Sequence, residues 1–429
     1  MCFAHWNIIS ERMEKRRMLT PSKLESLIDQ VLPLAQLSGL ECDHVHFELV
    51  DAEDIHALAS YHGLPIRYAH WSFGKNYGRL KTAYDYRLSQ IYELVINTRP
   101  FYAFIDRLNT DAQTLLILAH VFAHVDYFSH SRLFARTPHD ILHKASRHAR
   151  QIGQYRRIYG NEAVESLLDA AMVVADHVGT SLLMARGPGK EASDVLGYIA
   201  LHSAHLQDWE REILLMIREE SKYFWPQRLS KISNEGYATF WHTRLMRQIT
   251  LSPKVAWEVA ELNSKLLATK APQLNPYALG SQLYNHLYAK KGLGAVFEAR
   301  NMLDDAGLIR LALDDEVIHT CHLDIYREND PNGNTPHADP AHIRAQLIQD
   351  VEHAGIPLLT VMAEESKPQG PLRIQHHYDG RDLDFYELPF ALKAIAHRLW
   401  GGVVEIHTMK QGMHHIASHD GTKWADEVS

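Results

Sequence analysis

The sequence predicts a mainly α-helical protein, with a large helical domain followed by a small C-terminal α+β domain. Three observations carry this. Apolar residues recur at helical spacing through most of the first three hundred positions. A stretch dense in Pro, Gly, Asn and Asp, "ENDPNGNTPHADPAH" (328–342), then interrupts the chain. Beyond it, short strand-like runs alternate with helical ones.

Residues 1–19 read as an N-terminal extension, with Met13 or Met18 as alternative starts, and the helical core spans 20–327. Its first helix covers 20 to about 45: Thr20-Pro21-Ser22 supplies a start, and Leu24, Leu27, Ile28, Val31 and Leu32 keep helical spacing. "YHGLPIRYAHWSFGKNYGR" (61–79), rich in Gly, Pro, Asn and aromatics, is expected to be an ordered loop. "RLSQIYELVINTRP" then leads through Pro100 into an apolar helix holding "TLLIL" and "AHVFAHVDYF" (119–128). From 135 to 300 the pattern is mostly helical, with breaks at "RGPGK" (186–190) and "LSPK" (251–254). "DWEREILLMIREESKYFWPQ" (208–227) is a helix that Pro226 should end. "SKISNEGYATFWH" (230–242) reads as a loop entering a helix capped by Ser233 or Asn234. After a linker at 328–341, the C-terminal domain (342–415) has a helix at 342–354 and strand-like runs "PLLTVMAEE" and "PLRIQHHYDG". A helix "YELPFALKAIAHRLWG" and a strand "VVEIHTM" follow, and 416–429 is left as a tail.

Composition bounds the function. The chain is 46% hydrophobic and 22% charged, with a formal net charge of −8 and no long basic tract, so a nucleic-acid role has no electrostatic support. Three dispersed cysteines (Cys2, Cys42, Cys321) argue against a disulfide framework and fit a reducing cytoplasm. No run is long and apolar enough to span a membrane, and the N-terminus lacks the apolar region of a signal peptide.

The chemistry concentrates at two places. His120 and His124, four residues apart, lie on one face of an apolar helix and can address one atom. An unpartnered buried imidazole costs about 1–3 kcal/mol. A divalent cation would satisfy both rings, and zinc is the usual occupant. The alternative, with equal weight, is that each ring bonds a carboxylate or carbonyl in a packed core. In "NEGYA", Glu235 stands in a first helical turn and His242 lies seven residues on, on the same face, with small Ala238 between them. Glu235 is thus either a third ligand or a helix-start carboxylate favoured by the macrodipole. A hydrolase also needs a base for water activation; His242, Glu219, Glu220 and Asp126 are the options, although Asp126 points off the axis of the histidine pair. Glu219 and Glu220 read equally well as partners of neighbouring basic residues such as Lys222.

Locally this resembles the gluzincin metallopeptidases, which pair an H-E-x-x-H helix with a glutamate in a similar N-E-G-x-A context. That resemblance implies His120, His124 and Glu235 as ligands of zinc. Val121 replaces the catalytic glutamate, and the spacing to Glu235 is far longer. Over residues 40–408 the chain resembles the SpoVR family, named for stage V sporulation protein R. The stretches that match are "GLPIRYAHWSFGKNYGRLKTAYD", "IYELVINTRPFYAF", "LAHVFAHVDYF", "YGNEAVESLLDAA", the long run 208–242, "NPYALG", "HHYDGRDLDFYE" and "LWGGVVEIHT". The resemblance implies a cytoplasmic protein linked to spore cortex formation or to cell-wall and stress physiology. A serine protein kinase and a von Willebrand-type protein are its implied partners. Two functions fit: a zinc-dependent amide hydrolase, or a non-enzymatic regulatory or scaffold protein acting on cell-wall enzymes.

Overall fold

A computed structural model describes residues 18–42, 44–85, 93–179, 193–269, 274–323 and 339–428. The predicted break at 186–190, most of the linker and nearly all of the N-terminal extension lie outside these residues. The protein is mainly helical with a small C-terminal α+β part, as the sequence predicts. Two compact units divide the chain, and the chain passes between them more than once.

The first unit begins with α1 (Pro21–Leu37), whose N-terminus Thr20 caps by accepting from Lys23 N–H at 3.3 Å. This helix stops short of the expected residue 45 because the chain turns at Gly39, where φ is +88°. β1 (Val45–Val50), α2 (Ala52–Ser60), α3 (Trp71–Asp85), β2 (Glu93–Ile96), β3 (Phe101–Asp106) and α4 (Asp111–His130) follow. The expected loop at 61–79 is therefore a loop only to residue 70. Gly74 and Gly78 sit on an open side of α3, with nothing near their would-be side chains, so they punctuate nothing. A three-stranded sheet in the order β1-β3-β2, with β1 parallel and β2 antiparallel to β3, is an addition to the predicted elements.

The chain continues into the second unit with α5 (Ile141–Tyr159), α6 (Asn161–Val174), α7 (Val195–His202) and α8 (Asp208–Leu229). Pro226 does not end α8. The helix runs on to Leu229, which is buried, as is Trp225 just before the proline.

Back in the first unit come α9 (Lys231–Met246), α10 (Pro253–Leu267), α11 (Pro276–Met302), α12 (Asp305–Ala312) and α13 (Asp315–Thr320). α9 packs between α4 and α11. Its crossing with α11 is backbone against backbone: a Cβ on Gly236 would sit 2.3 Å from the carbonyl carbon of Gly280, and one on Gly280 would sit 2.1 Å from the Ile232 oxygen. Only two glycines permit that approach. The start of α9 is capped from afar. Ser233 and Asn234, the expected caps, lie inside the helix, and the carboxylate of Asp305 accepts from Ile232 N–H (2.9 Å) and Ser233 N–H (2.7 Å).

α14 (Pro340–Val351) leads to β4 (Leu359–Val361), β5 (Leu372–His376), α15 (Leu388–Ala394, continued by a π-helical turn through Trp400), β6 (Val404–Lys410), β7 (Met413–His419) and β8 (Trp424–Val428). These strands form one sheet in the order β4-β5-β6-β7-β8, with only β5 and β6 parallel. Residues 416–429, expected to be a tail, thus supply most of β7 and all of β8. The C-terminal elements are also not a separate domain after residue 342. They share the second unit with residues 136–229, because α6 packs on the π-helical turn and the two parts are cross-bonded. Arg398 pairs with Glu210 at 2.6 Å, Tyr198 Oη donates to the Ser366 oxygen at 3.0 Å, and Ser203 Oγ donates to the Leu399 oxygen at 2.7 Å.

Candidate metal centre

α4 is set by a capping box, in which Thr110 Oγ1 accepts from Gln113 N–H and the Gln113 side chain accepts from Thr110 N–H. From that start, residues 114 to 128 are buried but for the half-buried Leu116 region, and His120 and His124 project from the helix toward α9. Their rings meet edge to face with centroids 4.5 Å apart. Glu235, in the second turn of α9, brings Oε2 to 3.3 Å from His120 Nε2 and 3.5 Å from His124 Nε2. One ligand atom from each of the three residues lies within 4.8 Å of the others. The histidine side chains are 5% and 9% exposed and Glu235 is 22% exposed, so the cluster opens to solvent on the carboxylate side.

The other ring nitrogens are committed. His242 donates from Nε2 to Asn263 Oδ1 at 2.9 Å, which leaves its Nδ1 bare. In that tautomer set His120 donates from Nδ1 to His242 Nδ1 at 3.0 Å, and its Nε2 presents a lone pair to Glu235 at 3.3 Å. His124 donates from Nδ1 to Asn234 Oδ1 at 2.9 Å, with the same result. Burial, then the neighbouring His124, holds the His120 ring below its ordinary pKa, and burial followed by His120 takes His242 down to about 3. Both are neutral at pH 7. For the Glu235 carboxyl, burial acts upward, but hydrogen bonds first from His120 and then from His124 outweigh it and keep it ionised, and these need the opposite tautomers, with the protons on Nε2. With the protons on Nδ1 of His120 and His124, three acceptors face one point. That arrangement is repulsive unless a positive species lies between them.

Four other candidates are placed differently. His242, expected near the reacting water, is fully buried with both nitrogens engaged; it orients His120 and is not poised as a base. Glu219 and Glu220 belong to the second unit, where Lys144 (2.5 Å) and His148 (3.3 Å) hold Glu219. Arg67 (2.8 Å) and His148 (3.0 Å) hold Glu220, which is 1% exposed. Asp126, as its direction on the helix suggests, faces away from the pair. It accepts from Glu41 N–H at 2.9 Å and from Tyr237 Oη, and pairs with buried Arg300.

Asn234, expected only as a helix cap, and Asn263 and Asp305, not expected at all, also take part. Asn234 had a signal, being part of the "NEGYA" motif. Asn263 and Asp305 had none, since each acts through a tertiary contact with a helix remote in sequence.

The fold and the site define a mainly helical protein with two histidines and a glutamate gathered in metal-ligand fashion. The model of the family described as SpoVR like protein matches residues 19–186 and 180–356, and the chain belongs to the SpoVR family. It is also similar to the "Uncharacterized protein YcgB" of Escherichia coli (strain K12), 25% identical over 324 residues, which covers 62% of this chain and 63% of that protein. The chain thus matches somewhat less than two thirds of that relative's length. No solved structure matches. Among the described residues, no helix is long and apolar enough to cross a membrane.

Proposed function

We propose that His120, His124 and Glu235 hold a divalent cation, zinc by the donor set, and that the protein is a metal-dependent hydrolase of amide bonds. The observation that supports this most is the fixed direction of the two imidazoles. Asn234 Oδ1 lies 2.9 Å from His124 Nδ1, and His242, itself 2.9 Å from Asn263 Oδ1, lies 3.0 Å from His120 Nδ1; acceptors for both Nδ1 protons leave both Nε2 atoms free to turn their lone pairs to a cation beside Glu235. Histidine ligands held through their far nitrogen are the usual arrangement at metal sites. Three protein ligands with one accessible flank match catalytic zinc more closely than the closed four-ligand structural kind. A cation there supplies Lewis acidity toward a carbonyl oxygen. The exposed side of Glu235 is where a substrate reaches the site.

A second reading, a non-enzymatic regulator or scaffold acting on cell-wall enzymes, draws on one observation. Val121 occupies the place of the H-E-x-x-H glutamate, and among the described residues no other uncommitted acid faces the rings. Under either reading we place the protein in the cytoplasm and in cell-wall or stress physiology, with spore cortex formation in organisms that sporulate. A serine protein kinase and a von Willebrand-type protein are the partners this implies. The test is bound metal by mass spectrometry on untagged protein, with His124→Ala and Glu235→Ala in parallel, followed by amide hydrolysis on a panel of cell-wall peptides. Stoichiometric zinc lost in both variants, together with turnover lost in both, supports the hydrolase. Zinc without turnover supports the regulator. A metal-free parent leaves only a buried polar network.

A further inference from the structure

A second feature of the first unit, independent of the metal centre, is a cavity of about 240 Å³ lined from three helices. α11 contributes His286, Lys290 and Lys291, the end of α12 contributes Arg310, and α14 contributes Arg344; Asp314, the cap of α13, is the one carboxylate in the lining among the described residues. In a chain of net charge −8, four full cations against one acid is a marked local inversion. Helix-end electrostatics accounts for part of it. α11 breaks at Gly292 (φ +78°), so Lys290 and Lys291 end a helical segment, where cations are favoured. It covers Arg310 as well, in the last turn of α12, but not Arg344, which stands in the second turn of α14.

Neither Lys291 nor Arg344 has an acidic partner among the described residues, and Arg344 Nε is buried without a hydrogen bond. A buried guanidinium N–H left unmade is costly. His286, Asp314 and Glu316 are spaced as metal ligands are. The Asp314 oxygen at 2.9 Å from His286 Nε2, however, already receives the Lys290 ammonium at 2.7 Å, so a second cation would have to displace the first. The charge left over, on Lys291 and Arg344, suits an anion.

We infer that this cavity is a binding site for a small phosphoryl oxyanion, with Arg344 and Lys291 as its principal contacts. Arginine's planar fork suits tetrahedral oxyanions. The cavity is below the range typical of drug-sized ligands, which points to a phosphate or the phosphoryl end of a larger molecule in preference to a whole nucleotide.

The test is calorimetric titration of the full chain with inorganic phosphate and with pyrophosphate, at matched ionic strength, with acetate as the carboxylate control. Saturable one-to-one binding of phosphate or pyrophosphate is expected. Arg344→Gln and Lys291→Gln should each weaken it about tenfold, while Lys254→Gln, on an exposed helix elsewhere in the unit, leaves it unchanged. Unaltered melting curves would show that the variants fold. Tighter binding of pyrophosphate marks the end of a longer phosphoryl chain, and equal or weaker binding marks free phosphate. No saturable binding, equal binding of acetate, or variants that bind like the parent would overturn the assignment, as would zinc binding here that Asp314→Asn abolishes.

Discussion

Replacing Gly236 with alanine tests the packing that presents Glu235. In an ordinary exposed helix this change stabilises, by about 1 kcal/mol, because alanine has the higher helix propensity. Here the added Cβ would lie 2.3 Å from the Gly280 carbonyl carbon, 2.4 Å from its Cα and 2.8 Å from its oxygen, whereas 3.4 Å is where ordinary contact begins. All three atoms are backbone, so no rotamer change relieves the clash. α9 and α11 must separate by about 1 Å, and a gap of that size forfeits a quarter to a half of the dispersion energy along the contact. Overpacking typically costs about 1–3 kcal/mol; a backbone-to-backbone collision belongs at the upper end, so after the gain in helix propensity the net expectation is roughly 2 kcal/mol of destabilisation. For a unit of this size that is a fall in melting temperature of about 4–8 °C, read by circular dichroism at 222 nm. Zinc affinity should fall with it, since Glu235 is the neighbouring residue. A Gly236→Ala protein that melts at or above the parent temperature would refute the helix crossing and, with it, the placement of Glu235 against the histidines.

Three further outcomes follow from the same geometry. Asn263→Ala and Asn234→Ala each free one histidine to adopt the other tautomer and should weaken zinc binding by about 10–100-fold, measured by competition with a chelator, with little change in folding. Asp305, held up to about 7 chiefly by burial, binds a proton in the folded state that it releases when unfolded near pH 4. Its contribution to stability is therefore present below about pH 4 and lost as pH rises toward 7, and urea melts of Asp305→Asn across pH 4–7 should lack that slope. Arg300→Met strips the buried Asp126 of its cation and should cost about 3–5 kcal/mol; a loss under 1 kcal/mol in chemical denaturation would show that Tyr237 and the Glu41 amide suffice.

The parts of the fold legible in the sequence are those fixed by local periodicity. His120 and His124 could be paired from sequence because helix geometry alone stacks i and i+4. Glu235 could be nominated from a motif that reads as a helix start, although the helix begins at Lys231 and Glu235 stands in its second turn. What spacing cannot show is which ring nitrogen is already committed. His242 shares a face with Glu235, yet its two hydrogen bonds, to His120 and to Asn263, come from other helices and make it an orienting group. Glu219 and Glu220 failed as candidate bases for a similar reason, since their partners Lys144, His148 and Arg67 are distant in the chain. In the C-terminal part, β7 escaped notice because its inward positions are His415, Ala417 and His419, where a strand is usually recognised by Val, Ile or Phe. The grouping of residues 136–229 with the C-terminal sheet is a property of packing, and a Pro- and Gly-rich stretch marks where a chain turns without saying which helices it returns to.

X-ray absorption at the zinc edge of the protein as purified tests the central claim most directly. Expected are about one equivalent of zinc, two imidazole nitrogens at about 2.0–2.1 Å, light oxygen donors completing the shell, and one imidazole signature lost in His124→Ala. An absent zinc edge in protein purified without chelators, or a shell built from sulfur, would contradict it.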